Sequence, residues 1–368
     1  MSYAEDQMDK SRKTFGRRCA IKKIALGIAA LATALSSKPS KASSAQRIIV
    51  RDAGGTEAEI FKDIFYKPFQ KATGIEVASV TSEHEPSAQI RAMVENNKLF
   101  WDIAAISSRA VLSLTARDKV YLEKHELEND RFVSLMPSQF RSPYSVGVNV
   151  YTTVLAYRKD AFKGRPLPET WKDFWNVKDF PGRRALRRHP CATIEMALMA
   201  DGVAAENIYP LDLDRAFRSL DRIKPHISVW WTSAAQTEQL LQSGEVDLLP
   251  VWIVRAYMAM KAGAPVGFSW KQHIYDCGEW AILKGSSNIQ ACRQFIQFAS
   301  NPERQASLAA YGGYGPPTPD AFQYIDSKQK TDLLTYPKNL QKGIRSNDLY
   351  WLKHQEEIME RFNQWMLN

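Results

Sequence analysis

The chain has 368 residues, of which 45% are hydrophobic and 24% charged, and its formal net charge is +9. This composition is that of an ordinary globular protein, and the length exceeds the size at which one hydrophobic core usually stops growing, so we expect two lobes. The sequence shows no low-complexity segment and no internal repeat, which excludes fibrous and solenoid architectures.

The first 45 residues are predicted to be an export signal. They contain seven Lys/Arg, then the apolar run IALGIAALATAL over residues 24–35, then a segment rich in small residues up to Ala45. This run is too short to span a bilayer, and the adjacent Arg17 and Arg18 resemble a twin-arginine signal. We therefore predict cleavage near Ala45 and a periplasmic protein.

Removal of this signal takes away most of the positive charge. The signal carries nine basic and three acidic side chains, which leaves 40 basic against 37 acidic ones and a formal charge of +3. Nucleic acid is therefore not expected as a partner. Three cysteines remain, Cys191, Cys277 and Cys292. Their spacing matches no metal motif, and the sequence leaves open whether Cys277 and Cys292 pair.

From residue 47 onward, short apolar runs alternate with helical patterns, which is typical of parallel α/β units. The runs RIIVRDA, TGIEVASV and FWDIAAIS are predicted strands. One helix is expected to begin at GGT, with a capping box formed by Thr56 and Glu59, and another to begin at Ser107 to Arg109. These elements make up the first lobe.

Two crossings between the lobes are predicted. The β-branched run over Ser145–Tyr157 is too long for an ordinary strand, and a second crossing is expected near Trp270–Ile282. The helix CATIEMALMADG lies between them. The predicted boundaries are 1–45 for the signal, 46–154 for lobe I, 155–275 for lobe II, 276–335 for the return to lobe I and 336–368 for a helical tail. The tail spaces Leu349, Leu352, Ile358 and Phe362 along one face that packs onto a lobe.

Tryptophans stand at the ends of two predicted strands of the second lobe. The strand ISVWW ends at Trp231, Ser233 and Gln236 form a capping box for the next helix, and the strand VDLLPVW ends at Trp252. Ligands bind beyond the carboxyl ends of parallel strands, so Trp231 and Trp252 are predicted to flank a cleft. A core position is the alternative for each ring. Trp230 points to the opposite face and is predicted to be core.

Five phrases in order along the chain resemble the periplasmic substrate-binding proteins of ABC importers, in particular the spermidine/putrescine-binding type. They are AGGTEAEIFKDIFYKPFQKATGIEV, PETWKDFWNVKDFPGRRAL, MALMADGV, WWTSAAQTEQLLQSGEVD and CGEWAILKGSSN. The resemblance implies an α/β protein with the two-lobed type II periplasmic-binding-protein fold and a hinge that closes over one small solute. It further implies a monomer without metal, cofactor or catalytic residues, which delivers the solute to a membrane permease and its ATPase.

The resemblance also implies, position by position, which residues bind the solute. They are Gly54, Gly55, Thr56, Ser107, Ser108, Arg109 and Tyr144 from lobe I, Trp231, Ser233, Gln236, Trp252 and Arg255 from lobe II, and Asp276 and Glu279 near the return crossing. A tight turn is the alternative role of the glycines. Structural ion pairing is the alternative role of each arginine.

The sequence departs from the polyamine-binding pattern at its carboxylates. Polyamine binders of this type hold ammonium groups with acids before the second-lobe helix and in the return segment. Here Arg188 and His189 occupy the first position, and Gly278 stands between Asp276 and Glu279 in the second. A polyamine such as putrescine or spermidine is the solute that the resemblance implies. The arginines leave an ω-amino acid, or another carboxylate or phosphate solute, as the alternative.

An exported enzyme and a periplasmic sensor are the other classes considered. An enzyme is not predicted, because the sequence contains no HExxH, GxSxG, GxGxxG, CxxC or Walker pattern and its six histidines are dispersed. A periplasmic sensor remains an alternative, because a sensor uses the same closed form as a transport protein. The segments EHE at 83–85 and GRRALRRH at 182–189 are interpreted as a loop and a solvated turn.

Overall fold

The computed structural model describes residues 46–82, 85–116 and 118–368. The export signal predicted for residues 1–45 lies outside these ranges. None of the helices in the described ranges is long and apolar enough to cross a membrane.

The strands form one mixed sheet. They are β1 (Arg47–Asp52), β2 (Glu76–Thr81), β3 (Ile103–Ser107), β4 (Leu122–Glu123), β5 (Arg141–Ser142), β6 (Ser145–Arg158), β7 (Arg184–Arg187), β8 (Ile227–Trp231), β9 (Leu248–Trp252), β10 (Val266–Leu283) and β11 (Ile344–Arg345).

Helices cover the sheet on both sides of the long strands. They are α1 (Gly55–Phe61), α2 (Lys67–Thr73), α3 (Ser87–Glu95), α4 (Ser108–Thr115), α5 (Trp171–Trp175), α6 (Pro190–Ala200), α7 (Leu213–Ile223), α8 (Ala234–Ser243), α9 (Ile253–Lys261), α10 (Ile289–Ala299), α11 (Pro302–Ala306), α12 (Ser327–Lys330), α13 (Pro337–Leu340) and α14 (Asp348–Leu367). A π-helical turn over Lys62–Tyr66 joins α1 to α2.

The strand order divides the sheet into two parallel halves. Along the sheet it runs β2-β1-β3-β10-β6-β9-β7-β8. β1 pairs in parallel with β2 and β3, and β7 pairs in parallel with β8 and β9. β10 and β6 lie between these halves, run antiparallel to each other, and pair antiparallel with β3 and β9 respectively. We refer to the half built on β1–β3 as lobe I and the half built on β7–β9 as lobe II.

Two long strands pass through both lobes, at the two crossings that the sequence predicts. β6 has 14 residues and β10 has 18. Their pairing shifts register between Ser269 and Ile274 and again between Gly278 and Glu279. Gln272 lies in the first shift with a φ of 57°, and its carbonyl accepts a hydrogen bond from the Trp171 indole at 2.5 Å. The predicted boundaries at 154/155 and 275/276 fall inside these strands, and the domain boundaries stay predictions.

Each lobe has its own apolar core. In lobe I the fully buried Trp280 is surrounded by aromatic rings, the nearest being Phe295 with a centroid distance of 5.1 Å. In lobe II the core extends from α6 to the C-terminal helix α14, which buries Trp351, Ile358 and Phe362. The prediction that Leu349 lies on the buried face of this helix is wrong, since Leu349 is half exposed. Trp351 is the residue near the start of the helix that packs into the core.

Two local predictions are wrong. Helix α1 is capped by Gly54, whose φ is 77°, and no side chain caps it; the Asp52 carboxylate accepts the Gly54 N–H at 3.0 Å instead and holds the turn. The segment GRRALRRH is not a solvated turn, since it contains β7. Arg184 is 1% exposed and donates to the carbonyls of Phe174 and Gly182, which would otherwise be buried without donors.

The three cysteines of the described chain are all buried and free. Cys277 and Cys292 therefore do not pair.

Candidate functional site

A cavity of about 370 Å³ opens where the two lobes and the long strands meet. This size is within the range of small-molecule sites, which measure roughly 300–1,000 Å³. Its walls come from the start of α4 in lobe I, the ends of β7 and β9 in lobe II, the middle of β6 and β10, and the segment that follows β11.

The lobe I wall presents Arg109. This residue lies in the first turn of α4, and its Nε lies 3.9 Å from the Asp348 carboxylate without a hydrogen-bond partner among the described residues. Burial alone would lower the pKa of Arg109, but the nearby Cys191, Asp276, Glu85 and Asp348 outweigh burial and raise it. Arg109 is therefore a permanent cation in the cavity. Glu85 beside it accepts a hydrogen bond from Ser107 at 3.0 Å.

The lobe II wall presents Arg187. It is the last residue of β7, and its guanidinium carbon lies 5.6 Å from the Trp231 ring centroid and 5.2 Å from that of Trp252. No carboxylate of the described residues lies within 4.0 Å of its guanidinium nitrogens. Burial lowers its pKa, although a guanidinium remains charged at neutral pH. Arg187 is therefore a half-buried cation supported by aromatic rings rather than by a counter-ion.

The same wall includes a neutral histidine. The His189 ring nitrogen Nδ1 accepts the Cys191 N–H at 3.1 Å and so caps α6. Burial, together with the charges of Arg187 and Arg109, lowers the pKa of His189 to about 3. Ala192, which follows Cys191, has a φ of 68°, so the chain turns sharply before the regular part of α6 begins. The neutral His189 ring and the turn at Ala192 therefore place an uncharged imidazole and backbone atoms at the start of α6, where it borders the cavity.

The floor presents one buried carboxylate. Asp276 on β10 is 6% exposed, and it accepts the Cys277 N–H at 2.7 Å and the Tyr151 hydroxyl at 3.4 Å. Burial raises the pKa of Asp276, while the charge of Arg109 acts in the opposite direction. The cavity thus holds cations and an anion at different walls.

The structure brings together three of the residues that the sequence assigns to the site. Arg109, Trp252 and Asp276 line the cavity. Trp231 lies directly behind Trp252, is 2% exposed and contacts it with a centroid distance of 6.4 Å. Both rings therefore lie at strand ends, but only Trp252 lines the cavity.

The remaining lobe I candidates lie outside the cavity lining. Ser107 caps α4, and Ser108 donates to the buried carboxylate of Glu279 at 2.6 Å. Ser145 also hydrogen-bonds Glu279, so this acid has hydrogen-bond partners inside the protein and does not line this cavity. Tyr144 packs against the lobe I core. Gly54, Gly55 and Thr56 form the turn into α1.

The remaining lobe II candidates have structural partners. Ser233 accepts the Gln236 N–H at 3.3 Å, and the Gln236 side chain accepts the Thr232 N–H at 3.1 Å, so both residues cap α8 as predicted. Arg255 forms an ion pair with Glu238 at 3.0 Å and lies 3.5 Å from the Thr56 hydroxyl. The Arg255 guanidinium therefore links α9 to Glu238 on α8 and to Thr56 at the start of α1.

Sequence reasoning missed several residues that line the cavity. They are Glu85, Arg91, Tyr151, Arg187, His189, Cys191, Leu352 and Gln355. One available signal was that Arg187 ends a short strand that precedes a helix, which is the same position in a parallel unit that identified Trp252.

The cavity chemistry favours a ligand that carries a negative group. Arg91, Arg109 and Arg187 line it against two acids, Glu85 and Asp276. Guanidinium groups bind carboxylates with two parallel hydrogen bonds, and a single carboxylate suits one ammonium group. Within the described ranges, no three His, Cys, Asp or Glu side chains are grouped as a metal ion would require.

Comparison with known proteins agrees with this architecture. Residues 65–335 match the family described as bacterial extracellular solute-binding protein. The chain is 34% identical to a gamma-aminobutyric acid-binding protein of Pseudomonas aeruginosa, over 87% of this chain and 91% of that protein. It is 23% identical to the spermidine/putrescine-binding periplasmic protein of Escherichia coli, over 76% of this chain and 82% of that protein.

A solved structure extends the comparison to the fold. An ABC transporter substrate-binding protein from Bradyrhizobium japonicum matches with a TM-score of 0.82 and 37% identity, over 87% of this chain and 99% of that protein. All three relatives are named for the binding of a solute or substrate, and the solved structure is that of an ABC transporter component. The chain belongs to the bacterial extracellular solute-binding protein family, as a substrate-binding protein of the ABC transporter type.

Proposed function

We propose that this protein captures an ω-amino acid such as 4-aminobutyrate in the periplasm and delivers it to an ABC permease and its ATPase. The observation that carries this proposal is the placement of Arg109 and Arg187 in one cavity with the buried carboxylate of Asp276. A polyamine, the solute implied by the sequence resemblance, is less favoured, because the gamma-aminobutyric acid-binding relative has the higher identity.

The carboxylate of the solute is assigned to the arginines. Arg187 has no carboxylate within 4.0 Å among the described residues, and Arg109 has an Nε without a hydrogen-bond partner there. A buried cation without a close counter-ion is costly, so an incoming carboxylate that pairs with it is favoured. A diamine has no such group, and its second ammonium would meet arginine.

The ammonium of the solute is assigned to Asp276, with Glu85 as the second acid of the lining. Asp276 has a floor position between the two lobes and is buried by both long strands. The methylene chain between the two ends then packs on the half-buried Trp252. Desolvation by the aromatic ring strengthens both charge pairs.

Titration with matched solutes tests this assignment. Putrescine has the chain length of 4-aminobutyrate but an ammonium in place of the carboxylate, and butyrate lacks the ammonium. We expect ligand-stripped protein to bind 4-aminobutyrate at least roughly 100-fold more tightly than either control in calorimetric titration, since each control leaves a buried charge unpaired. Equal or tighter binding of putrescine would overturn the proposal and restore the polyamine assignment.

The Trp252→Ala variant is expected to bind 4-aminobutyrate with an affinity lower by about 1–3 kcal/mol, because the methylene chain loses its apolar support. Trp230→Ala is the matched control, since Trp230 packs against Trp365 on the opposite face of β8, at a centroid distance of 5.7 Å. The control should lower the melting temperature and leave the dissociation constant unchanged. Unchanged affinity in a folded Trp252→Ala protein would remove this ring from the site.

A further inference from the structure

The C-terminal helix α14 contributes to the cavity although it lies outside the family match, which ends at residue 335. We propose that Leu352 on this helix is a specificity-determining residue that sets the length of solute the cavity accepts. This proposal deepens the proposed function and rests on the cavity being the solute site.

Leu352 and Gln355 place one face of α14 against the cavity. Both residues line it, and they are three positions apart, so they stand one above the other on the helix. Leu352 is half-buried and Gln355 is exposed, which places the apolar side chain inside and the amide at the mouth. The neighbouring Trp351, one position earlier, points into the lobe II core and is fully buried.

The helix is fixed on its lobe II side by polar contacts as well as by its core residues. The Trp351 indole donates to the Glu195 carboxylate at 2.7 Å, and that acid also accepts the Tyr209 hydroxyl at 2.6 Å. At the far end the Trp365 indole donates to Asp221 at 2.7 Å. With both ends held, the wall that Leu352 presents cannot rotate away from the cavity.

The start of the same helix reaches lobe I. Asp348 in its first turn lies 3.9 Å from the Arg109 guanidinium and 3.7 Å from that of Arg345. Arg109 is one of the two arginines assigned to the solute carboxylate. The distance between the Leu352 wall and the Arg109 guanidinium is therefore set by the contact between α14 and α4, and such a distance limits the length of a solute bound between them.

Length selectivity of Leu352 variants tests the proposal. We would measure the ratio of dissociation constants for 4-aminobutyrate and 6-aminohexanoate, which differ by two methylenes, in wild type, Leu352→Ala and Leu352→Trp. Leu352→Ala is expected to shift the ratio toward the longer solute by about tenfold, and Leu352→Trp to shift it toward the shorter one by a similar factor. A loss of stability alone would weaken both solutes equally and leave the ratio unchanged.

Met359→Ala is the matched control, because Met359 lies two turns further along the same face of α14 and does not line the cavity. The same ratio is measured in parallel for putrescine and 1,6-diaminohexane. Binding of the diamines alone would reject the proposed ω-amino acid function while still reporting on Leu352. A ratio that is unchanged in both folded Leu352 variants, in whichever solute class binds, overturns the inference.

Discussion

The Arg187→Ala variant is expected to bind 4-aminobutyrate roughly 30- to 1,000-fold more weakly than wild type, a loss of about 2–4 kcal/mol. The guanidinium is held at the end of β7 by the rings of Trp231 and Trp252, and no carboxylate of the described chain neutralises it within 4.0 Å. In the variant the solute carboxylate still loses its hydration on binding, but it no longer gains the ion pair with Arg187. Isothermal titration with the purified variant measures the loss.

Arg188→Ala provides the control for this change. Arg188 is the next residue, is exposed and does not line the cavity, so its removal alters the net charge equally without touching the solute. We expect its dissociation constant to match wild type and both variants to melt as cooperatively as wild type. If the two alanine variants bound 4-aminobutyrate equally well, Arg187 would have no part in carboxylate recognition.

The second large effect is expected for Asp276→Asn, which should weaken 4-aminobutyrate binding by roughly 10- to 100-fold and remove a pH dependence. Burial raises the pKa of Asp276 in the empty cavity, and a bound ammonium favours the ionised carboxylate. Protons and solute therefore compete, so wild-type affinity should fall as the pH drops below that raised pKa and level off above it. Titrations at stepped pH measure both profiles.

Other groups near Asp276 also titrate, so the variant is compared with wild type. Asp348, whose pKa burial and the charge of Asp276 raise to about 8, is present in both proteins, and its pKa is expected to be lower in Asp276→Asn because that charge is removed. Glu279→Gln is the control for a buried acid on the same strand, since Glu279 is bonded to Ser108 and Ser145 away from the cavity. That variant should lose stability and keep a pH dependence, with its midpoint moved to lower pH because the charge of Glu279 no longer acts on Asp276. An Asp276→Asn profile as steep as wild type would contradict the assignment.

Much of the fold could be predicted because its signals are local. β1, β2 and β3 are short apolar runs between helical patterns, and β6 is too long to serve a single lobe. Trp252 could be placed at the cavity because it ends a parallel strand, and the carboxyl end of such a strand is the ligand side of a sheet. The capping of α8 by Ser233 and Gln236 follows equally from neighbours in sequence.

The remaining site residues depend on contacts that the sequence pattern does not contain. Arg187 ends a strand of four residues, RALR, whose two end arginines resemble a charged turn until the burial of Arg184 is known. Arg255 is in the expected region of α9, yet Glu238 and Thr56 occupy its guanidinium. Leu352 reaches the cavity because the Trp351 indole on its helix donates to Glu195, which lies 157 positions before Leu352 in the sequence.

The two lobes are connected by β6 and β10, which remain paired with each other from one lobe to the other, apart from the two register shifts. Neither strand contains a loop between the lobes, so any movement of one lobe against the other bends and twists this two-stranded ribbon. The work stored in that ribbon is subtracted from the contact energy of every solute alike. Cavity side chains thus determine the relative affinities of the solutes, whereas the stiffness of the ribbon shifts all of their dissociation constants together.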